Sequence, residues 1–163
     1  MRPAKEALAE GRVTGSLSYA DLERPRILLA EDDEEMRRLL STTLSRDGFE
    51  VIEAKDGNDL IRLIGDQIFE GRGEPGIDLI VSDIRMPGLS GMNVLAGLRK
   101  ADWATPVLLI TAFGDKETHQ EARRLGAVGV FDKPFDLDDF RTAVMNIIGG
   151  KMKPSRPRRR TAA

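Results

Sequence analysis

The stretch DLIVSDIRMPGLSG (78–91) decides the fold of this 163-residue chain. Its apolar run, residues 79–81, is typical of a strand that is covered on both faces. The run ends on a carboxylate, Asp83, and continues into a turn around Pro87 and Gly88. Because a buried charge is disfavoured without partners, the end of this strand is expected to meet other polar groups.

Short apolar runs of this kind recur along the chain, and segments with helical spacing separate them. Such alternation predicts an α/β fold in which a parallel sheet carries helices on both faces. With five strands, we expect a doubly wound, flavodoxin-like sheet of order 2-1-3-4-5. The five runs are RILLA (26–30), EVIEA (50–54), DLIVS (78–82), PVLLI (106–110) and VGVF (128–131).

Apolar residues at helical spacing predict which faces of the first two helices meet the core. Short acidic side chains, Asp115 and Asp136, are predicted to cap two later helices, because they can accept hydrogen bonds from free backbone donors. The expected core-facing residues are Met36, Leu39, Leu40 and Leu44 in the first helix, and Leu60, Ile61, Ile64 and Ile68 in the second.

Composition indicates one domain with a sizeable core, since 40% of the residues are hydrophobic and 32% are charged. The chain has no cysteine, which excludes disulfides and thiolate metal sites. No apolar stretch has the length of a membrane span or a signal peptide, so we expect a cytoplasmic protein.

Charge is distributed unevenly along the chain. Residues 26–148 carry 15 basic and 23 acidic side chains, whereas residues 149–163 carry six basic and no acidic ones. We therefore expect a flexible N-terminal extension (1–25), an acidic domain (26–148) and a disordered basic tail (149–163). Without interleaved aromatic residues or a helix-turn-helix, the tail is not expected to read DNA sequence.

Acidic side chains follow two strands that are neighbours in the predicted sheet. Glu31 and Asp32 come directly after strand 1, and Asp83 ends strand 3. Crowded carboxylates repel one another unless a cation joins them, and an oxygen-only ligand set suits Mg²⁺. Thr111 after strand 4 and Lys133 after strand 5 reach the same edge, where they could contact a phosphoryl group.

These motifs resemble the receiver domain of two-component response regulators over residues 26–148. The resemblance includes the acidic pair after strand 1, Asp83 before MPGLSG, Thr-Ala after strand 4 and Lys-Pro-Phe after strand 5. It implies that Asp83 accepts a phosphoryl group from a phosphohistidine of a sensor histidine kinase or phosphotransfer protein. It also implies that Mg²⁺ is bound by Glu31, Asp32, Asp83 and the backbone carbonyl of Arg85. Thr111 and Lys133 would contact the phosphoryl oxygens. The Lys133–Pro134 peptide bond would be cis.

The sequence departs from the family pattern at several positions. The usual switch aromatic is replaced by Val130, and strand alternation is expected to direct the adjacent Phe131 to the other face. Arg85 and Phe113 occupy positions that tune autodephosphorylation, and bulky Phe113 is expected to screen water and slow the loss of phosphate. The segment 57–83 is also longer than family members usually show.

The expected function is a phosphorylation-controlled binding switch that meets its partner through the helix 4–strand 5–helix 5 face. Receivers often pair through that face, so a homodimer is left open. We expect a stand-alone receiver without its own output domain, or a fragment of a longer regulator. One alternative is a Mg²⁺-dependent phosphatase with an aspartyl nucleophile. Arg85 disfavours it, because such enzymes have an acid/base Asp at that position. The other alternative is a receiver-like binding protein that is never phosphorylated. His119 is expected to be a solvated helix residue.

Overall fold

The computed structural model describes residues 24–70 and 76–162, and side chains within 24–67 and 76–150. Five strands form one parallel sheet in the order β2-β1-β3-β4-β5, which confirms the predicted topology. The strands are β1 (Arg26–Ala30), β2 (Glu50–Ala54), β3 (Leu79–Asp83), β4 (Val107–Thr111) and β5 (Gly129–Asp132). The helices are α1 (Glu34–Arg46), α2 (Gly57–Glu70), α3 (Gly91–Lys100), α4 (Lys116–Arg124) and α5 (Leu137–Ala162).

The sheet is covered on both faces, and alternate strand residues enter two separate cores. In β1, Leu28 packs in the core that α2, α3 and α4 cover, whereas Leu29 packs in the core beneath α1 and α5. The carboxyl ends of β1, β3, β4 and β5 therefore lie along one edge of a sheet that is packed against helices on both faces.

The buried stripe of each early helix is narrower than predicted. Leu40 is fully buried, but Leu39 is 49% exposed, so its predicted place in the core was wrong. The same correction applies in α2, where Ile64 is buried and Ile61 is 43% exposed. A helix lying on a flat sheet buries residues four apart, and a neighbour about 100° around the axis points away. The side chain of Ile68 lies outside the described part.

The predicted helix caps are present. The Asp115 carboxylate accepts a hydrogen bond from the Thr118 backbone N–H at 2.8 Å. The Asp136 carboxylate accepts one from the Asp139 N–H at 3.0 Å. These caps fix where α4 and α5 begin, directly after the loops that follow β4 and β5.

Several predictions concern parts of the chain that the structure does not describe. Residues 1–23 of the expected N-terminal extension and residues 71–75 of the long segment between α2 and β3 lie outside it. Side chains beyond residue 150 also lie outside it. The backbone of residues 149–162 belongs to α5, which differs from the disordered tail expected from the sequence. Within the described residues, no helix combines the length and apolar character needed to cross a membrane.

An ion pair joins the end of α1 to α5 across the sheet face. Arg141 donates from Nε to Oδ2 of Asp47 at 2.9 Å and from Nη2 to Oδ1 at 2.7 Å. The Asp47 side chain is only 7% exposed. The hydrogen bonds from Arg141 lower the pKa of Asp47 below its ordinary value of 3.8.

Replacing Asp47 by Asn is expected to remove a pH-dependent part of the stability. Because the folded-state pKa of Asp47 is depressed, its contribution is present above pH 3.8 and is lost as the pH falls through the lowered value. The urea midpoint of Asp47→Asn should therefore lie below that of the wild type at neutral pH, and the gap should close in acid. The matched control is Asp138→Asn, since Asp138 contacts the same Arg141 but is 84% exposed. A gap that does not change with pH would contradict this account.

Candidate functional site

Three carboxylates converge where β1 and β3 end, as the sequence predicts. We call Glu31, Asp32 and Asp83 the acidic edge, and each offers an oxygen within 4.8 Å of the others. Glu31 is 1% exposed and Asp83 is 5% exposed, whereas Asp32 is exposed to solvent. The acidic edge is therefore a set of ligand oxygens that is buried on one side and open on the other.

Lys133 bridges two members of the acidic edge. Its ammonium donates to Asp83 Oδ2 at 2.8 Å and to Glu31 Oε1 at 3.0 Å. Burial acts to lower the pKa of Lys133, but these hydrogen bonds and the two negative charges raise it above its ordinary value. Lys133 therefore remains a cation and offers donors at the carboxylate that ends β3.

The Glu31 carboxylate is held in place although burial disfavours its charge. Its Oε2 accepts from the Asp33 N–H at 3.0 Å, and its backbone carbonyl accepts from Arg37 Nη1 at 2.8 Å. Burial raises the pKa of Glu31, and the nearby Asp83 charge adds to this, against the hydrogen bonds from Asp33 and Lys133. The acidic edge thus carries repulsion that a bound cation would relieve.

The backbone around Asp83 is fixed by short-range contacts. The Arg85 N–H donates to Asp83 Oδ1 at 3.2 Å, and Ser82 Oγ donates to the Asp83 carbonyl at 2.9 Å. A side chain at Gly91 would lie 2.5 Å from that same carbonyl oxygen. The start of α3 can therefore approach β3 closely only because residue 91 is a glycine.

Thr111 ends β4, beside the loop that follows β5 and begins with Lys133. It is 1% exposed, and its Oγ1 accepts from the Phe113 N–H at 3.0 Å. Its carbonyl accepts from the Lys133 N–H at 2.7 Å, and the Lys133–Pro134 peptide bond is cis, as the resemblance implies. One backbone hydrogen bond thus joins Thr111 and Lys133, the two residues predicted to contact a phosphoryl group, although their side chains contact different partners.

The side chains of Arg85 and Phe113 touch, which sequence reasoning did not predict. The Arg85 guanidinium carbon lies 4.2 Å from the centroid of the Phe113 ring, a cation–π contact. The Phe113 side chain is 59% exposed. The pair connects the loop after β3 with the loop after β4. Both residues were singled out from the sequence, but nothing in their spacing signals a contact.

The switch-aromatic position is apolar and small in this chain. Val130 packs against the core that α2, α3 and α4 cover. Phe131 packs in the opposite core, with its ring 5.5 Å from that of Phe135. The expected direction of Phe131 is therefore confirmed.

His119 lies in α4 with its side chain 27% exposed, and its ring makes a contact that the sequence did not predict. Its Nε2 lies 2.9 Å from Oδ1 and 3.0 Å from Oδ2 of Asp132, the last residue of β5. A side chain at Gly114 would collide with Asp132. The three residues meet only because α4 packs beside β5, so no local sequence signal could have identified the contact.

The ligand atoms present suit a hard divalent cation. Three carboxylates supply oxygen only, one of them is exposed for entry, and a partly buried ammonium offsets part of their negative charge. Mg²⁺ binds in proteins through one or a few carboxylates and keeps several waters, so an open acidic site matches its needs.

Comparison with known proteins agrees with the fold. Residues 27–145 match the response regulator receiver domain. The chain is 37% identical over 123 residues to the regulatory protein AtoC of Escherichia coli (strain K12), covering 76% of this chain and 25% of AtoC. It is 30% identical over 119 residues to sporulation initiation phosphotransferase F of Bacillus subtilis (strain 168), covering 73% of this chain and 90% of that protein.

Solved structures give the same result. The Francisella response regulator 1452 receiver domain is 28% identical, with a TM-score of 0.70, covering 78% of this chain and 99% of that one. The chemotaxis response regulator CheY4 of Vibrio cholerae is 26% identical, with a TM-score of 0.64, covering 76% of this chain and 98% of that one. Fold and site together define a receiver domain. The chain belongs to the response regulator receiver domain family of two-component systems.

Proposed function

We propose that Asp83 accepts a phosphoryl group in a Mg²⁺-dependent reaction and that the chain acts as a phosphorylation-controlled binding switch. The donor is a phosphohistidine on a sensor histidine kinase or phosphotransfer protein, the partners with which receiver domains interact. The observation that carries the proposal is the Lys133 ammonium, which bridges Asp83 and Glu31 within the acidic edge. We propose a phosphoacceptor rather than a phosphatase, because Arg85 occupies the place of the acid/base Asp that such enzymes use.

In the proposed transfer, a carboxylate oxygen of Asp83 attacks phosphorus. The bond between phosphorus and the donor imidazole nitrogen breaks, and that nitrogen keeps the electron pair. Mg²⁺, bound by Glu31, Asp32, Asp83 and the Arg85 carbonyl, would neutralise charge on the phosphoryl oxygens. Lys133 exchanges its hydrogen bond to Asp83 for one to a phosphoryl oxygen and stabilises the charge that develops there.

In the proposed switch, Thr111 couples phosphorylation of Asp83 to a change in the α4–β5–α5 face, which binds the partner. Its hydroxyl turns from the Phe113 N–H toward a phosphoryl oxygen, and the loop leading into α4 follows. With Val130 at the aromatic position, the signal depends on this loop and on α4 and not on a swinging ring. A nearly complete change of state requires that the phosphoryl group favour one conformation by about 5.5 kcal/mol. The helix α4–β5–α5 face then meets the partner, or a second copy of the chain.

The direct test is incubation with acetyl phosphate and Mg²⁺, followed by intact mass measurement. We expect the mass to rise by one phosphoryl group in the wild type and not in Asp83→Asn. Asp132→Asn is the matched control, since Asp132 ends β5 at the same edge of the sheet and its side chain is 52% exposed. Circular dichroism should confirm that all three chains are folded. A wild type that stays unlabelled, or an Asp83→Asn chain that is labelled, would overturn the proposal.

Replacing Phe113 by Glu is expected to shorten the half-life of the phosphorylated chain several-fold. In the proposed role, the ring and the Arg85 side chain that stacks on it screen the phosphorylated Asp83 from water, and a carboxylate would remove that screen and could orient a water molecule. The half-life is measured by following loss of the phosphoryl group after removal of the donor. Leu39→Glu, at an exposed apolar residue of α1 outside the loops of the site, serves as the control. An unchanged half-life for Phe113→Glu would contradict the screening role.

A further inference from the structure

The first residue of α2 touches the loop that follows the acceptor strand. We call residues 84–90, between β3 and α3, the acceptor loop. Gly57 is buried, and its N–H donates to the Pro87 carbonyl at 3.4 Å. A side chain at position 57 would place its Cβ 1.9 Å from the Leu89 carbonyl oxygen and 2.7 Å from the Leu89 carbonyl carbon. The clash would be with backbone, so no rotamer change could relieve it.

The α2 side of this contact is fixed. The Asp56 carboxylate accepts from the Asp59 N–H at 2.7 Å and so caps the start of the helix. The Asp59 carboxylate accepts from the Lys55 N–H at 3.1 Å. Leu60 and Ile64 anchor the same helix in the core. A side chain at position 57 would therefore displace the acceptor loop more readily than the helix.

Hydrogen bonds within the loop and to Asp83 hold the two ends of the acceptor loop, whereas its middle lies against the start of α2. At one end, the Arg85 N–H donates to Asp83 Oδ1 at 3.2 Å. At the other, the Gly91 N–H donates to the Ile84 carbonyl at 2.9 Å. In the middle, Gly88 has a φ of +84°, and a side chain there would lie 2.8 Å from the Asn58 amide nitrogen. The contacts from the start of α2 therefore set where the middle of the loop lies.

We propose that Gly57 is a positioning residue for the phosphoryl-acceptor site. By allowing α2 to meet the acceptor loop backbone to backbone, it sets the position of the Arg85 peptide unit relative to Asp83. This inference rests on the proposed function, because the Arg85 carbonyl matters as a ligand only if the acidic edge binds Mg²⁺. Outer contacts that orient metal ligands typically change metal affinity about 10- to 100-fold when they are lost.

The test compares Gly57→Ala with Gly65→Ala in the same helix, where a side chain would meet nothing within 4 Å. Mg²⁺ affinity is measured without any phosphate donor, from the rise of the urea midpoint with Mg²⁺ concentration. We expect Gly57→Ala to weaken Mg²⁺ binding about 10-fold or more and to slow phosphorylation by acetyl phosphate, and Gly65→Ala to bind Mg²⁺ as the wild type does. Wild-type affinity in Gly57→Ala would overturn the inference.

Two further variants separate positioning from general destabilisation. Ile64→Val removes a methyl group from the buried face of α2, away from the acceptor loop, and should lower stability without changing Mg²⁺ affinity. An equal loss of affinity in Ile64→Val would overturn the inference. Should Gly57→Ala not fold, Asn58→Ala removes the side chain beside Gly88 and is expected to weaken Mg²⁺ binding several-fold. Unchanged binding in Asn58→Ala would then overturn it.

The failures of the two proposals are distinguishable. If the wild type is labelled on Asp83 and Gly57→Ala binds Mg²⁺ normally, only the positioning role fails. If the wild type binds Mg²⁺ but is never labelled, the proposed function fails while the affinity comparison between variants still decides the role of Gly57. A wild type whose stability does not respond to Mg²⁺ overturns both.

Discussion

Replacing Lys133 by Met is expected to slow phosphorylation of Asp83 by acetyl phosphate about 10²- to 10³-fold, the usual effect of removing one preorganised donor from developing negative charge. The ammonium lies 2.8 Å from Asp83 Oδ2 and 3.0 Å from Glu31 Oε1. Methionine keeps much of the apolar stem but leaves the two carboxylates without their shared cation. The initial rate of phosphoryl incorporation, followed by intact mass at high Mg²⁺ concentration, measures the effect.

Lys116→Met is the control for the Lys133 variant. Lys116 is an exposed residue in the first turn of α4, and its loss removes the same charge from the chain without touching the acidic edge. Its rate should stay close to that of the wild type. A Lys133→Met chain that is labelled within about threefold of the wild-type rate would show that the ammonium does not assist transfer.

Replacing Phe140 by Ala is expected to lower the free energy of unfolding by about 3–5 kcal/mol. Phe140 is 0% exposed in the core beneath α1 and α5, and its ring centroid lies 5.7 Å from that of Phe131 and 5.4 Å from that of Phe135. Truncation removes a large apolar surface and leaves a cavity that the rigid sheet cannot fill. Urea denaturation gives the change directly.

Met145→Ala in the same helix provides the comparison for Phe140→Ala. Met145 is 42% exposed, and its truncation should change the unfolding free energy by no more than about 0.5 kcal/mol. The two variants together test whether α5 is held to the sheet through its buried stripe. A loss below about 1 kcal/mol for Phe140→Ala would contradict the packing described above.

The parts of the fold that depend on buried strands were predictable from sequence. Each observed strand lies within one residue of its predicted bounds. The three central strands, β1, β3 and β4, carry near-continuous apolar runs because they are covered on both faces. The members of the acidic edge were predictable for the same reason, since each follows or ends such a run. The chemistry at a strand end can thus be read once the strand order is known.

Contacts between elements that are distant in sequence were not predictable. His119 reaches Asp132, and Arg85 reaches Phe113, only after the helices have packed on the sheet. The exposure of Leu39 was missed because residues at helical spacing can form several overlapping apolar faces. Only packing against the sheet decides which of these faces is buried. Gly57 carried a signal, a glycine at a helix start, but sequence alone does not reveal the backbone that it meets.

The depth of Asp83 has a consequence for the choice of donor. With 5% of its surface exposed, its carboxylate cannot be reached across a broad, flat contact. In the proposed transfer, a donor would bring phosphorus to this carboxylate on a narrow group, such as an imidazole on a methylene stem, or would be as small as acetyl phosphate. In the proposed reaction, phosphate esters with bulky leaving groups are therefore expected to be poor donors, because they cannot bring phosphorus close to the Asp83 carboxylate.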